Sequence, residues 1–207
     1  LRGVEADADE AYVRDICRAW DVPLKAIRIE AAALAKQWGI GCEEAGRRAR
    51  YEIFEECLQE MGGCHGAIAV AHHRDDCAET LLFHMFRGTG LDGMAGIRPV
   101  RKTERESMII RPLLETGKTE IEGFLQEKGI SWRIDSTNTG EDYTRNRIRN
   151  RVLPYAEKEI CSGAGAHLAK EAQLLAETAD FVRSCTRQAL ERCRVEAGAL
   201  KTNVCGR

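Results

Sequence analysis

The sequence has 207 residues, of which 43% are hydrophobic and 31% charged, as expected of a globular chain with a sizeable core. Its formal net charge of −2 excludes a polycation, so a nucleic-acid partner would have to be held by a local basic patch. The chain has no run of about 18 apolar residues, and its acidic start is not a signal peptide, so we expect no membrane partner. The nine cysteines include no C-x-x-C pair, which predicts reduced thiols and a cytoplasmic location rather than a metal site.

Hydrophobic periodicity predicts helices alternating with strands up to residue 135. In chain order we predict a helix at 8–20, a strand at 24–30, a helix at 42–61, a buried parallel strand at 66–73, a helix at 76–87, a strand at 108–112, a helix at 117–128 and a strand at 130–135. Only helices follow, at 144–159, broken at Pro154, and at 167–195. This order predicts an α/β domain with a parallel sheet at 1–159 and a helical segment at 160–207.

The stretch AHHRDDCAET, residues 71–80, places polar side chains where a buried strand ends and a helix begins. Ligands of open α/β sheets bind at the carboxyl ends of strands, so His73, Asp76 and Glu79 are candidate catalytic residues. Their carboxylates suit magnesium, with Asp76 as its ligand, or the ammonium of an amine substrate. The alternative is structural, because Asp76 and Glu79 also have the spacing of a helix capping box.

Two weaker motifs follow along the chain. In RGTGLDGMAGI, residues 87–97, Arg87 and Gly88 open a glycine-rich loop that could bring backbone amides near a phosphate, although a helix C-cap explains the glycines equally well. In RPLL, Arg111 ends a strand at the same expected edge of the sheet and suits a phosphate or carboxylate.

Residues 145–151 contain four arginines and no lysine. Helical spacing places Arg145 and Arg149 on one face and Arg147 and Arg151 on another, with Ile148 and Val152 as the apolar side. With Asn146 beside them, they predict an element that grips phosphates of ATP or of a tRNA backbone. The alternative is a solvated helix face paired with Glu157 and Glu159. In EEAGRRARYEIF, residues 43–54, Arg47 and Arg50 are weaker candidates for the same role, with arginines simply exposed to water as the default.

Taken in order, LRG-x-x-A-D-A-D-E, EEAGRRARY, HHRDDCAET, RGTGLDGMAGI, RPLL, D-S-T-N and YTRNRIRNRVLP resemble the tRNA(Ile)-lysidine synthase family from Leu1 to Pro154. The resemblance implies an N-type ATP-pyrophosphatase domain, with the parallel-sheet fold of the adenine-nucleotide α-hydrolases, followed by a helical segment. It implies a ligase that uses ATP and Mg²⁺ to adenylate the C2 oxygen of cytidine 34 in the CAU anticodon of tRNA(Ile). The amine of free lysine then displaces AMP. A homodimer is also compatible with the resemblance.

The family's phosphate loop, S-G-G-x-D-S, is absent from this sequence, and Gly62-Gly63 does not replace it. We therefore expect the natural protein to extend upstream, and the 207 residues alone to be inactive. Two alternatives stay open. One is a relative that makes 2-thiocytidine in tRNA, which would need paired C-x-x-C cysteines. The other is a non-catalytic tRNA-binding remnant.

Overall fold

The computed structural model describes residues 4–62, 66–133 and 144–193. Its α-helices are α1 (Val4–Ala19), α2 (Ala31–Trp38), α3 (Cys42–Glu60), α4 (Arg74–Phe86), α5 (Leu91–Met94), α6 (Lys118–Glu127), α7 (Thr144–Arg147), α8 (Leu153–Tyr155) and α9 (Ala164–Cys193). Its strands are β1 (Ala67–Ala69), β2 (Val100–Lys102) and β3 (Met108–Ile110). The D-S-T-N motif at 135–138 and Tyr143 lie outside the described residues. Within the described ranges, no helix is both long and apolar enough to cross a membrane.

The chain divides into two compact units. The first contains Leu1–Ile68 and Lys102–Ile109. In it α2 packs on α3, where small side chains such as Ala45 and Ala49 are buried and allow close approach. The strand predicted at 24–30 is wrong, since this described segment is irregular and exposed. Its alternating residues have no neighbouring strand to pair with, and ion pairs such as Lys25–Glu60 (2.6 Å) tie it to helices instead.

The second unit contains Ala69–Arg101 and Ile110–Arg207. Its centre is α4, against which α9 packs along with the helical stretch that starts at Thr144. One buried cluster joins Ala78 of α4 to Ile148 and Leu153. A second joins Ala95 to Ala176 and Ala179 of α9. The predicted start of a separate domain near residue 160 stays a prediction, because these packing contacts do not test independent folding.

The three strands form one sheet in the order β1-β3-β2. Arg111 N–H donates to Pro99 O (2.9 Å) and Thr103 N–H donates to Ser107 O (2.9 Å), the pattern of an antiparallel β2–β3 hairpin. The prediction of a parallel sheet is therefore wrong for this pair of strands, which is antiparallel. The strand predicted at 66–73 is shorter than expected, since β1 contains only Ala67–Ala69. It is also less buried than expected, since Ile68 is the one buried residue of β1. The described part of the strand predicted at 130–135 is irregular.

The arginine-rich stretch is helical from Thr144 to Ile160 and is not broken at Pro154. It accommodates the proline through two π turns, Ile148–Val152 and Ala156–Ile160. In the first, Leu153 N–H donates to Ile148 O, five residues back. Each π turn inserts one residue more than an α turn, so Ile148 shares a buried face with Leu153. The prediction that Val152 completes the apolar side is wrong, since it is 37% exposed.

Candidate functional site

The first turn of α4 begins five residues after β1 ends, which places its side chains at the carboxyl end of that strand. His73 is the N-cap, and Asp76 Oδ2 accepts the His73 backbone N–H at 2.9 Å. Asp75 and Asp76 also place negative charge at the positive end of the helix dipole. The capping box that the sequence allowed for Asp76 with Glu79 is therefore wrong in its pairing, because Asp76 caps the helix from its third position, with His73 as the N-cap, and Glu79 takes no part.

Glu79, one turn further along α4, is the centre of a buried ionic network. Its side chain is 1% exposed. Arg149 donates through Nε to Oε1 (2.5 Å) and through Nη2 to Oε2 (2.9 Å). Arg145 Nε lies 3.4 Å from Oε2, and its Nη2 donates to Thr80 Oγ1 at 2.6 Å. The predicted shared face of Arg145 and Arg149 is confirmed, and it points at α4.

Asp76 completes this network, since its Oδ1 accepts from Arg149 Nη2 at 3.0 Å. Two carboxylates thus face two guanidinium groups. Burial acts to lower the pKa of Arg149, but its hydrogen bond to Glu79 and the charges of Asp76 and Asp75 outweigh that effect and raise the pKa. Arg149 therefore stays charged. Glu157, the partner expected for a solvated helix, instead accepts the backbone N–H groups of Gly163 (2.6 Å) and Ala164 (3.0 Å).

A cavity of about 730 Å³ opens beside this network, and we call it the carboxylate cavity. His73, Asp75, Glu79 and Arg149 line it, together with Lys118 of α6. Asp75 is 38% exposed, the most open of the three acids, and its Oδ2 accepts the Lys118 backbone N–H at 3.1 Å. The His73 ring lies between two acids, with Nδ1 3.8 Å from Asp75 Oδ2 and Nε2 3.5 Å from Asp76 Oδ2. An imidazole and a half-exposed carboxylate are therefore among the groups that line this cavity.

A second cavity, of about 510 Å³, also borders the first turn of α4, and we call it the Arg111 cavity. Arg111 lines it and donates through Nη1 to Arg98 O at 2.5 Å. Cys77 of α4 lines it too. Burial, and then the charge of Asp76, raise the pKa of the Cys77 thiol to about 11, while Arg111 and Arg145 act in the opposite direction. Cys77 is therefore a neutral, structural thiol, and Arg111 is close enough to act on it electrostatically.

The other predicted site residues do not join this cluster. Arg87 and Gly88 follow the far end of α4, roughly 16 Å along the helix axis from Asp76 at 1.5 Å per residue. There Gly88 has φ +69°, and the predicted phosphate-cradling loop contains α5, fixed by His84 Nδ1–H donating to Gly93 O (2.6 Å). Asn146 is half-buried on α7, next to Arg145.

Arg47 and Arg50 lie on α3 in the first unit, and both are exposed. Arg47 pairs with Glu44 at 3.2 Å and lies over the Tyr51 ring at 5.7 Å. These contacts agree with the default interpretation of arginines on a solvated helix face.

The magnesium ion predicted at Asp76 does not fit this arrangement as it stands. Both carboxylate oxygens already accept hydrogen bonds, and the Arg149 guanidinium lies where a cation would approach. Among residues 4–62, 66–133 and 144–193, no group of three or more His, Cys, Asp or Glu side chains is arranged to hold a metal. Magnesium would have to displace Arg149, so its binding here stays a prediction.

Three residues of this region were not singled out by the sequence: Thr80, Lys118 and Trp132. Asp75, in contrast, lies with Asp76 and Glu79 at the strand end where the sequence predicted a site. Thr80 lies four residues after Asp76, on the same helix face, which helical spacing could have indicated. Lys118 and Trp132 reach the carboxylate cavity from α6 and from the segment after it, and no local pattern predicts that approach.

Comparison with known proteins identifies the family of this chain. The sequence model of the PP-loop domain family matches residues 1–156, and the chain belongs to that family. Membership implies the adenine-nucleotide α-hydrolase fold and the use of ATP.

Similar curated proteins carry a more particular name. The tRNA(Ile)-lysidine synthase of Caldanaerobacter subterraneus subsp. tengcongensis is 38% identical over 205 residues, which is 99% of this chain and 42% of that protein. That of Chlorobaculum tepidum is 40% identical over 182 residues (88% and 53%), and that of Parabacteroides distasonis is 42% identical over 175 residues (84% and 38%). The resemblance seen in the motifs is confirmed. The chain spans about half, or less, of the length of these relatives.

Proposed function

We propose that this chain is the ATP-using part of a tRNA(Ile)-lysidine synthase. In the proposed reaction, the C2 oxygen of cytidine 34 attacks the α-phosphorus of ATP, and pyrophosphate leaves. The amine nitrogen of free lysine then attacks C2, the C2–O bond breaks, and AMP leaves. The similarity to enzymes of that name supports the proposal, and so does a cavity whose reachable groups suit an amine substrate.

The observation that carries the proposal is that His73 and Asp75 both line the carboxylate cavity, beside the buried network. Lysine arrives as an ammonium ion and must lose a proton before its nitrogen can attack. Asp75, half-exposed in the carboxylate cavity, offers a negative charge to attract the ammonium. We assign His73 as the proton acceptor, because histidine is the side chain that most often acts as a general base. We assign Asp76 and Glu79 the task of holding Arg149 and Arg145 in place.

The phosphate groups require cationic partners. Arg111 lies at the strand end in the adjoining cavity, and we assign it to a phosphate of ATP. Arg149 lines the carboxylate cavity, and we assign it, with the neighbouring Arg145 and Asn146, to the phosphates of ATP. We assign Arg87, Gly88, Arg47 and Arg50 to the phosphates of the longer tRNA backbone. Magnesium, when bound, would neutralise charge on the phosphates.

The test is a complete reaction with the full-length natural protein that contains this chain, ATP, magnesium, radiolabelled lysine and tRNA(Ile) with a CAU anticodon. We expect lysine to enter the tRNA with one AMP released per lysine. A methionine tRNA with the same anticodon should remain unlabelled. His73→Asn should lower the rate at least 100-fold, within the usual contribution of general base catalysis of about 10²–10⁴. Glu127→Gln, on exposed α6, is the matched control. Absence of lysine incorporation by the unaltered protein, with or without ATP consumption, would overturn the proposal.

A further inference from the structure

A tryptophan side chain reaches the carboxylate cavity from the segment after α6. Trp132 lines the cavity that contains His73 and Asp75, and it is 40% exposed. We propose that Trp132 is a stacking wall for an unpaired base of the RNA substrate. The proposal rests on the proposed function and adds to it the place where the reacting base is held.

The indole ring of Trp132 has the chemistry of a stacking surface for a base. Tryptophan offers a large, flat apolar surface, and bases splayed out of RNA loops are commonly stacked on such rings. Trp132 is the only phenyl or indole ring among the described residues that line the cavity. Elsewhere, Trp38 already has the Arg48 guanidinium 4.6 Å from its ring centroid. None of the ring–ring or cation–π contacts among the described residues involves Trp132, and 40% of its surface is exposed.

The side chains around the Trp132 ring also suit a nucleotide. Asp75 and Glu122 line the same cavity and can accept hydrogen bonds from an exocyclic amino group such as that of cytosine. Lys118 and Arg133 line it as well, and cations beside a base pocket suit the flanking phosphates. The volume of about 730 Å³ falls in the range of sites for small ligands, roughly 300–1,000 Å³. An acceptor, a stacking surface and cations together favour a nucleotide of the RNA.

The position of Trp132 would place a stacked base beside the groups that we assign to the lysine amine. A base stacked on Trp132 occupies the cavity that His73 and Asp75 also line, where we place the lysine amine. Adenylation and amine attack both occur at C2 of the same base. A side chain that stacks on the cytosine ring therefore serves both steps, whereas stacking on the adenine of ATP would leave the cytosine without a stacking partner.

The binding test uses Trp132 as its own probe. The sequence has three tryptophans, so Trp20→Phe with Trp38→Phe leaves Trp132 as the single source of indole fluorescence. We expect saturable quenching by an anticodon stem-loop that contains cytidine 34, and little quenching when that nucleotide is abasic. Equal quenching by the abasic stem-loop would overturn the proposal. So would quenching by ATP alone.

The kinetic test separates stacking from packing. Trp132→Phe keeps a stacking ring, and we expect a KM for tRNA within about threefold of the unaltered protein. Trp132→Leu keeps an apolar side chain without the ring, and should raise that KM roughly tenfold or more while leaving the KM for ATP unchanged. Equal losses for both variants, or no loss for Trp132→Leu in a protein that makes lysidine, would overturn this inference alone. If the unaltered protein makes no lysidine, the proposed function fails instead.

Discussion

Replacing Glu79 with alanine should mainly lower the free energy of unfolding, rather than remove a group that takes part in the reaction. The carboxylate is buried and shared by Arg145 and Arg149. Leaving one side of a buried ion pair without its partner costs about 3–5 kcal/mol. The side chains of Arg145 and Arg149 are 40% and 32% exposed, so water compensates part of their charge. We therefore expect the lower end of that range, about 3 kcal/mol.

At about 2–4 °C per kcal/mol for a chain of this length, Glu79→Ala should lower the Tm by roughly 6–12 °C. The assay is thermal unfolding followed by circular dichroism. Glu79→Gln keeps the shape and one acceptor oxygen, so its loss should be about half as large. A double-mutant cycle with Arg149→Ala should give a coupling of about 1 kcal/mol or more, because the two side chains are in direct contact.

Glu127→Ala is the control for this experiment, since Glu127 is largely exposed at the end of α6 and should shift stability by no more than about 0.5 kcal/mol. If Glu79→Ala unfolded within 1 °C of the unaltered protein (~0.3 kcal/mol), the network would not be holding the arginine-rich helix to α4. Glu79 would then be better explained as the catalytic group that the sequence predicted.

Three further changes test other parts of the second unit. Asp75→Asn should lower lysidine formation at least tenfold while the Tm moves by less than about 2 °C, because the side chain is half-exposed; a large Tm loss would make Asp75 structural. Leu153→Ala should cost about 2–4 kcal/mol and Val152→Ala less than about 1 kcal/mol in denaturant unfolding, and the reverse order would contradict the π turn. Iodoacetamide at pH 8 should modify exposed Cys42 but not buried Cys77, whose pKa of about 11 keeps it protonated, as mass mapping would report.

The parts of this structure that the sequence predicted are those set by local spacing. The helices predicted at 8–20, 42–61, 76–87 and 117–128 correspond to α1, α3, α4 and α6, with ends displaced by a few residues. Each combines helical periodicity with an end signal in the neighbouring residues. The shared face of Arg145 and Arg149 follows from the same i, i+4 rule.

The parts that it did not predict depend on distant partners. The alternating residues 24–30 look like a strand, but a strand needs a neighbour, and no local signal reports one. The π turn before Pro154 changes which side chain is buried, and an α-helical repeat cannot anticipate it. The partner of Arg149 is likewise a carboxylate seventy residues earlier in the chain, so spacing predicted the face but not what it meets.

The sequence also left two interpretations of Asp76 open, a helix cap and a functional carboxylate, and the structure shows why they are not alternatives. One oxygen of Asp76 caps α4, while the other holds Arg149. The cap fixes the carboxylate at the strand end, and the ion pair fixes the arginine beside the cavity. A residue that only capped the helix would not need a buried arginine opposite it. A residue that only bound a ligand would not need the His73 backbone. Asp76 joins the two, so the first turn of α4 and the arginine-rich helix form a single positioned surface around His73 and Asp75.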